Sequence, residues 1–230
     1  MAARGRSAGF TLVELLVALF AMALLAVMSW RGLDGMTRAQ EQTQARADDV
    51  LTLQVGLAQW AADLDALIQL PQTSALDWNG RVLRITRRSS VAPGEGVVVA
   101  AWSRRDVEGR GIWLRWESAP ATTREQLERA WQQADMWSQN PGEEERRREV
   151  AVTPLAQWQI FYFRGGAWSH PLSSDATAGA PALPASAPAL PLTVLPDGVR
   201  LVLTLPPGPS ISGVLTRDWV RPTLGGGKSS

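Results

Sequence analysis

The chain has 230 residues, 45% hydrophobic and 20% charged, the proportions of an ordinary globular protein with one sizeable domain or two small ones. A formal net charge of +1 excludes the global basic field of nucleic-acid binders, so no nucleic-acid partner is expected. The absence of cysteine excludes disulfides, thiolate metal sites and a cysteine nucleophile, and the single histidine, His170, excludes multi-histidine metal centres.

Residues 1–9 (MAARGRSAG) are polar, carry Arg4 and Arg6, and contain no acid. From 10 to 30 the chain turns apolar (FTLVELLVALFAMALLAVMSW), interrupted only by Thr11, Glu14 and Ser29. As a helix this stretch is about 31 Å long, which matches the hydrocarbon core of a bilayer. Neither Gly nor Pro falls inside it, so helix propensity agrees with the length. A cleaved secretory signal fits poorly, because the apolar run is too long and Met28-Ser29-Trp30-Arg31 offers no small-residue cleavage site. A plain anchor gives no reason for Glu14, one turn inside the apolar end, where a lone carboxylate is costly in lipid. Arg31, Arg38 and Arg46 follow the span closely, so flanking charge does not fix its orientation.

The run Gly9-Phe10-Thr11-Leu12-Val13-Glu14-Leu15-Leu16-Val17-Ala18-Leu19, behind a short basic leader, resembles the processing site of type IV pilins and type II secretion pseudopilins. The resemblance implies that a prepilin peptidase cuts after Gly9 on the cytoplasmic side and that the new N-terminus, Phe10, is N-methylated. It implies that Glu14 pairs with the N-terminal amine of a neighbouring subunit as helices pack into a filament. It also places the leader in the cytoplasm, the helix in the inner membrane and the remainder in the periplasm. The physics agrees: glycine lets the backbone lie close against a protease, and Glu14 sits four residues from the new amine on the same helix face. Each charge is costly alone in lipid, so pairing favours assembly in register. Loss of Arg4 and Arg6 with the leader would take the formal net charge from +1 to −1.

The helix is expected to continue to residue 70, since 36–70 lack proline and Pro71 supplies a stop. Val50, Leu53, Leu57, Trp60, Leu64, Leu67 and Ile68 form one stripe at helical spacing, with Gln54, Gln59, Asp63 and Asp65 between. The stripe suits either packing on the soluble domain or a coiled-coil contact with another subunit. Gly32 and Gly35 weaken the helix by about 1 kcal/mol each, which predicts a bend or local melting at 31–36.

Beyond Pro71 the pattern turns strand-like. Strands are predicted at 81–87, with Leu83 and Ile85 on one face, at 97–103, and at 112–117 after the Gly109-Arg110-Gly111 turn. Residues 123–137 return to helical spacing, capped by Thr122 or Thr123. The charged run 143–149 (EEERRRE) reads as a solvated helix end with ion pairs three and four residues apart. Strands follow at 150–153, 158–164 and 167–169, then a loop at 171–197 rich in Pro, Ala and Ser. Strands at 198–205 and 211–220 close the sheet, and the tail 223–230 reads as disordered. The fold class is therefore α+β: a long N-terminal helix followed by about eight strands in an antiparallel arrangement with one inserted helix. The domain plan is leader 1–9, transmembrane helix 10–30, its periplasmic extension 31–70, a β-rich domain 71–222 and the tail. The tryptophans at 102, 113, 116, 158, 168 and 219 fall on predicted strands and read as core and edge packing.

Three distal stretches resemble the J-type minor pseudopilins of type II secretion: 155–168 (LAQWQIFYFRGGAW), 195–201 (LPDGVRL) and 215–219 (LTRDW). The loop at 171–197 and the helix at 123–137 look like insertions. That resemblance implies a tip complex with minor pseudopilins I, K and H that primes a pseudopilus of the major pseudopilin. Its other partners would be the prepilin peptidase and inner-membrane lipid. A type IV pilus minor pilin, or a membrane-anchored periplasmic enzyme or binding module, shares the same N-terminal features. No catalytic constellation is expected. His170 precedes Pro171 in a loop with Ser169, Ser173, Ser174 and Asp175, too irregular for a triad, and reads as solvated. No phosphate-binding loop, calcium loop, metal site or cofactor is expected.

Overall fold

The computed structural model describes residues 10–89, 94, 96–173, 195–208 and 210–222. Expectations for the leader and Gly9, for most of the 171–197 loop and for the tail 223–230 lie outside the described residues. The elements, in order, are α1 Leu12–Asp65, β1 Leu76–Trp78, β2 Val82–Arg88, β3 Val97–Val107, β4 Arg110–Glu117, α2 Arg124–Gln139, α3 Glu143–Arg147, β5 Glu149–Pro154, β6 Gln157–Arg164, β7 Ala167–Ser169, β8 Gly198–Leu205 and β9 Gly213–Val220. The fold class is α+β as expected. The chain divides into two compact units, Met1–Asp48 and Asp49–Ser230.

In the first unit α1 is helical from Leu12 onward, and its described residues are exposed throughout. The expected bend or melting at 31–36 does not occur: the helix is continuous through Gly32 and Gly35. Glycine costs a helix about 1 kcal/mol without forbidding it. An Arg38–Asp34 ion pair at 2.9 Å and the Thr37 hydroxyl donating to the Leu33 carbonyl at 3.0 Å lie over this turn.

In the second unit the end of α1 is a core element. Leu53, Gly56, Trp60, Asp63 and Leu64 are buried, one line at spacings of three and four. Core packing, the first of the two alternatives for the stripe, accounts for Leu53, Trp60 and Leu64, while Val50 at its upper end stays exposed. The helix stops at Asp65, short of residue 70, because strand pairing takes over. The Arg88 N–H donates to the Ala66 carbonyl, the Ile68 N–H donates to the Thr86 carbonyl, and Leu67 bridges Arg87.

The strands are antiparallel as expected and divide into two sheets. One has the order β1-β2-β3-β4-β5 and the other β7-β6-β8-β9. The ninth strand is the short β1, which sequence patterning did not show. The chain passes from one sheet to the other at Leu155 and Ala156, whose N–H groups donate to Gly111 of β4 at 2.8 Å and Thr204 of β8 at 2.9 Å.

The five-stranded sheet is covered on both faces. Leu83, Ile85, Ala100, Trp102 and Trp113 join Trp60 and Leu64 of α1 in one core cluster, which also takes Ile160, Leu201 and Trp219 from the other sheet. Val82, Val99, Ala101, Leu114 and Trp116 pack in a second cluster with Leu127, Ala130, Ala134 and Trp137 of α2. Two-sided burial explains why residues 97–102 read as an unbroken apolar run. α2 starts where Thr123 accepts the Gln126 N–H, and the Gln126 side chain returns to the Thr123 N–H. α3 is exposed, with Arg147–Glu143 and Arg148–Glu144 ion pairs at 3.7 and 3.6 Å, as read for the charged run.

Candidate functional site

The head of α1 carries the residues the processing motif singles out. Phe10 is 81% exposed and precedes the helix. Glu14 is exposed, and its carboxylate accepts long hydrogen bonds from the Thr11 N–H at 3.5 Å and the Thr11 hydroxyl at 3.3 Å. The Glu14 N–H in turn donates to the Thr11 hydroxyl oxygen at 3.3 Å. This is a reciprocal capping box, in which the first turn's orphan N–H groups are met by Thr11 and Glu14. The carboxylate also faces the positive end of the helix dipole. The cap adds a local role for Glu14 to the assembly role that the resemblance implies, and the Thr-x-x-Glu spacing from Thr11 to Glu14 is its sign in the sequence. The helix behind it is the one among the described residues that is long and apolar enough to cross a membrane.

The end of α1 is fixed by a buried charge cluster centred on Asp63, which is fully buried. Its carboxylate accepts from Arg115 Nε and Nη2, each at 2.8 Å, from Trp102 Nε1 at 2.8 Å, from Gln59 Nε2 at 2.9 Å and from Arg87 Nη1. Glu117 accepts from Arg115 Nη2 at 2.6 Å and lies 3.9 Å from Arg87 Nη1. Two arginines and two carboxylates balance in charge, which offsets the cost of burying Asp63. Burial alone would lower the Arg115 pKa, but hydrogen bonds and charge from Asp63, then Glu117, outweigh it and raise it above the usual arginine range. The alternation of the strands delivers these groups to one face: Arg87 follows Leu83 and Ile85 on β2, and Arg115 follows Trp113 on β4. A second tie comes from Trp219 of β9, whose Nε1 donates to Asp65 at 2.8 Å. The expectation that Asp63 falls on the polar side of α1 is therefore corrected. Burial is affordable here only because two guanidinium groups meet it.

The remaining sequence candidates are more modest. His170 is half-buried and still partly open to solvent: its ring stands edge-on to Phe161 at 5.9 Å, and Nδ1 accepts the Leu172 N–H at 3.3 Å. Among the tryptophans read as packing, Trp102, Trp113 and Trp116 are fully buried. Trp168 is half-buried beneath the Arg200 guanidinium, 4.2 Å from its ring centre. Gly198 leaves room for that indole, since a Cβ there would lie 3.3 Å from Trp168 Cη2. Among the described residues no three acidic or histidine side chains converge as a metal site.

The apolar helix headed by Phe10 and Glu14 coincides with a family model. Residues 4–30 match the prokaryotic N-terminal methylation motif. No curated protein matches the chain. Residues 4–30 thus give this membrane-anchored chain the prepilin-type N-terminus of type IV pilin-like proteins.

Proposed function

We propose that the protein is a minor pseudopilin of a type II secretion system, of the J type, that acts by assembly and not by catalysis. The observation that carries the reading is the exposed apolar helix, capped at its head by Glu14 and carrying the methylation motif over residues 4–30. In this reading the peptidase cuts between Gly9 and Phe10 and methylates Phe10. The helix stays in the inner membrane with the two-sheet domain in the periplasm until it enters a pseudopilus. Before assembly Glu14 is occupied by its own helix cap. On assembly its carboxylate trades the long Thr11 bonds for the amine of a neighbouring Phe10, a stronger charge-assisted contact in a medium that penalises both charges alone.

The J-type assignment rests on the stretches 155–168, 195–201 and 215–219, which form β6, β7, the entry to β8 and the body of β9. All belong to the four-stranded sheet and its entry, so the likeness is concentrated in one part of the fold. The partners implied are minor pseudopilins I, K and H and the major pseudopilin.

Co-expression of the full chain with candidate I and K pseudopilins, followed by purification through a tag on this chain, tests the role. Stoichiometric recovery of both supports a tip complex. Recovery of neither, with the chain folded and processed, contradicts it.

A further inference from the structure

The outer strands of the two sheets differ in how they are closed. β1 and β7 are three residues each. β5 ends on Pro154, and its ladder with β4 shifts register between Trp113 and Leu114. β9 is different. It has eight residues and a regular ladder from Gly198↔Val220 to Leu205↔Gly213, and among the described residues nothing pairs with its far side. A long regular edge strand is a template for another strand unless it is blunted.

The phase of that edge is fixed. The Arg221 N–H donates to the Asp197 carbonyl at 2.8 Å, so by alternation the main chains of Trp219, Arg217 and Leu215 face β8. Those of Val214, Thr216, Asp218 and Val220 face away. Val214 and Val220 are 70% and 72% exposed on the same sheet face as Asp218. Asp218 is already held by Arg200, at 2.7 Å from both Nε and Nη2. Arg217, on the opposite face, is exposed and makes no ion pair among the described residues.

We propose that the β9 edge receives an extended strand from another protein, with an acidic residue set opposite Arg217 and apolar residues beside Val214 and Val220. Main-chain bonds to the four outward positions, unpaired among the described residues, supply affinity, and the charge fixes register. A second copy of this chain fits less well. Antiparallel pairing of β9 with itself keeps the faces aligned only between residues of like parity. Centring on Arg217 opposes two arginines, and centring on Asp218 opposes two aspartates. Centring on Thr216 leaves Arg217 against Leu215, its charge unmatched. The edge strand, residues 213–220, and the methylation motif, residues 4–30, are separate stretches of sequence, so failure of strand addition would leave the assembly reading standing.

The test uses the full chain in detergent micelles and two synthetic eight-residue peptides of alternating valine and threonine, one with a central glutamate and one with a central lysine. The glutamate peptide is expected to bind about fivefold more tightly than the lysine peptide. It should slow amide exchange about tenfold or more at Val214, Thr216, Asp218 and Val220. Thr216→Pro removes an outward N–H that β8 does not use, so it should abolish binding with the circular dichroism spectrum unchanged. Arg217→Glu, an exposed change, should reverse the preference between peptides. The proposal is overturned if neither peptide binds or if Thr216→Pro binds as well as the parent. It is also overturned if the four amides are already protected in the free chain. Protection independent of concentration would mean that the chain covers its own edge. Protection growing with concentration would mean that a second copy does.

Discussion

The residue that matters most to the second unit is an aspartate. Asp63 is fully buried and depends on Arg87, Arg115 and Trp102, which lie 24, 52 and 39 residues away in sequence. No local pattern could show that. On helical periodicity Asp63 sits beside Leu64 at the margin of the stripe, and only the strands decide which neighbour turns inward. Asp63→Ala leaves two guanidinium groups buried with Glu117 as their remaining acid, and is expected to cost about 3–5 kcal/mol in urea unfolding. Replacing the set by Asp63→Leu, Arg87→Met and Arg115→Met should recover much of that loss. A single substitution costing no more than an exposed one would show that the cluster does not hold the helix. Tyr162 offers an independent probe, as the protein's one tyrosine. Its phenol is buried, with no hydrogen-bond partner among the described residues, and burial pushes its pKa well above the ordinary value; the carboxylate of Asp77 adds to the shift. The neutral form is the one the fold favours. Tyr162 therefore adds stability below about pH 10, its unfolded pKa, and that contribution falls as pH rises further. Tyrosinate absorbance should stay absent from the native protein near pH 10 to 11 and appear on unfolding. A native midpoint near 10 would contradict the burial.

At the scale of elements, the approach of α1 to β5 depends on a missing side chain. A Cβ on Gly56 would lie 2.2 Å from Val152 Cγ1. Helix propensity alone says that Gly56→Ala stabilises by about 1 kcal/mol. The contact says the reverse, a loss of about 1–3 kcal/mol, since a β-branched side chain on a strand has little freedom to yield. The sign of the change in unfolding free energy decides, and Val152→Ala should restore the double variant. Thr123→Ala removes the cap of α2 and should cost about 1 kcal/mol by the same measurement. Most elements were legible because their signals are local: β8 falls on the predicted residues, and α2 starts at one of the two predicted caps. The division into two sheets was not, because it depends on which strands pair. β6 turns away from its sequence neighbour β5 to join β8, in the register Gln157↔Thr204 through Phe163↔Gly198. β1 was missed because three residues carry too little alternation to be read. The end of α1 was misplaced because Pro71 marked the last residue where a helix was allowed, while pairing of residues 66–68 with β2 ended it sooner.

At the scale of the whole molecule, the proposed role makes N-terminal processing and assembly separable. Phe10 and Glu14 were legible because the motif is contiguous; the cap with Thr11 was overlooked although its spacing is equally local. Glu14→Ala should leave cleavage largely intact and sharply reduce incorporation into filaments, measured by shearing and immunoblotting alongside secretion. Normal incorporation in that variant would contradict the proposed role of the carboxylate. The most direct measurement is the mass of the mature N-terminus purified from cells with an active prepilin peptidase. A chain that begins at Phe10 and carries one added methyl group is predicted. A chain that still begins at Met1 would contradict the prepilin-type reading.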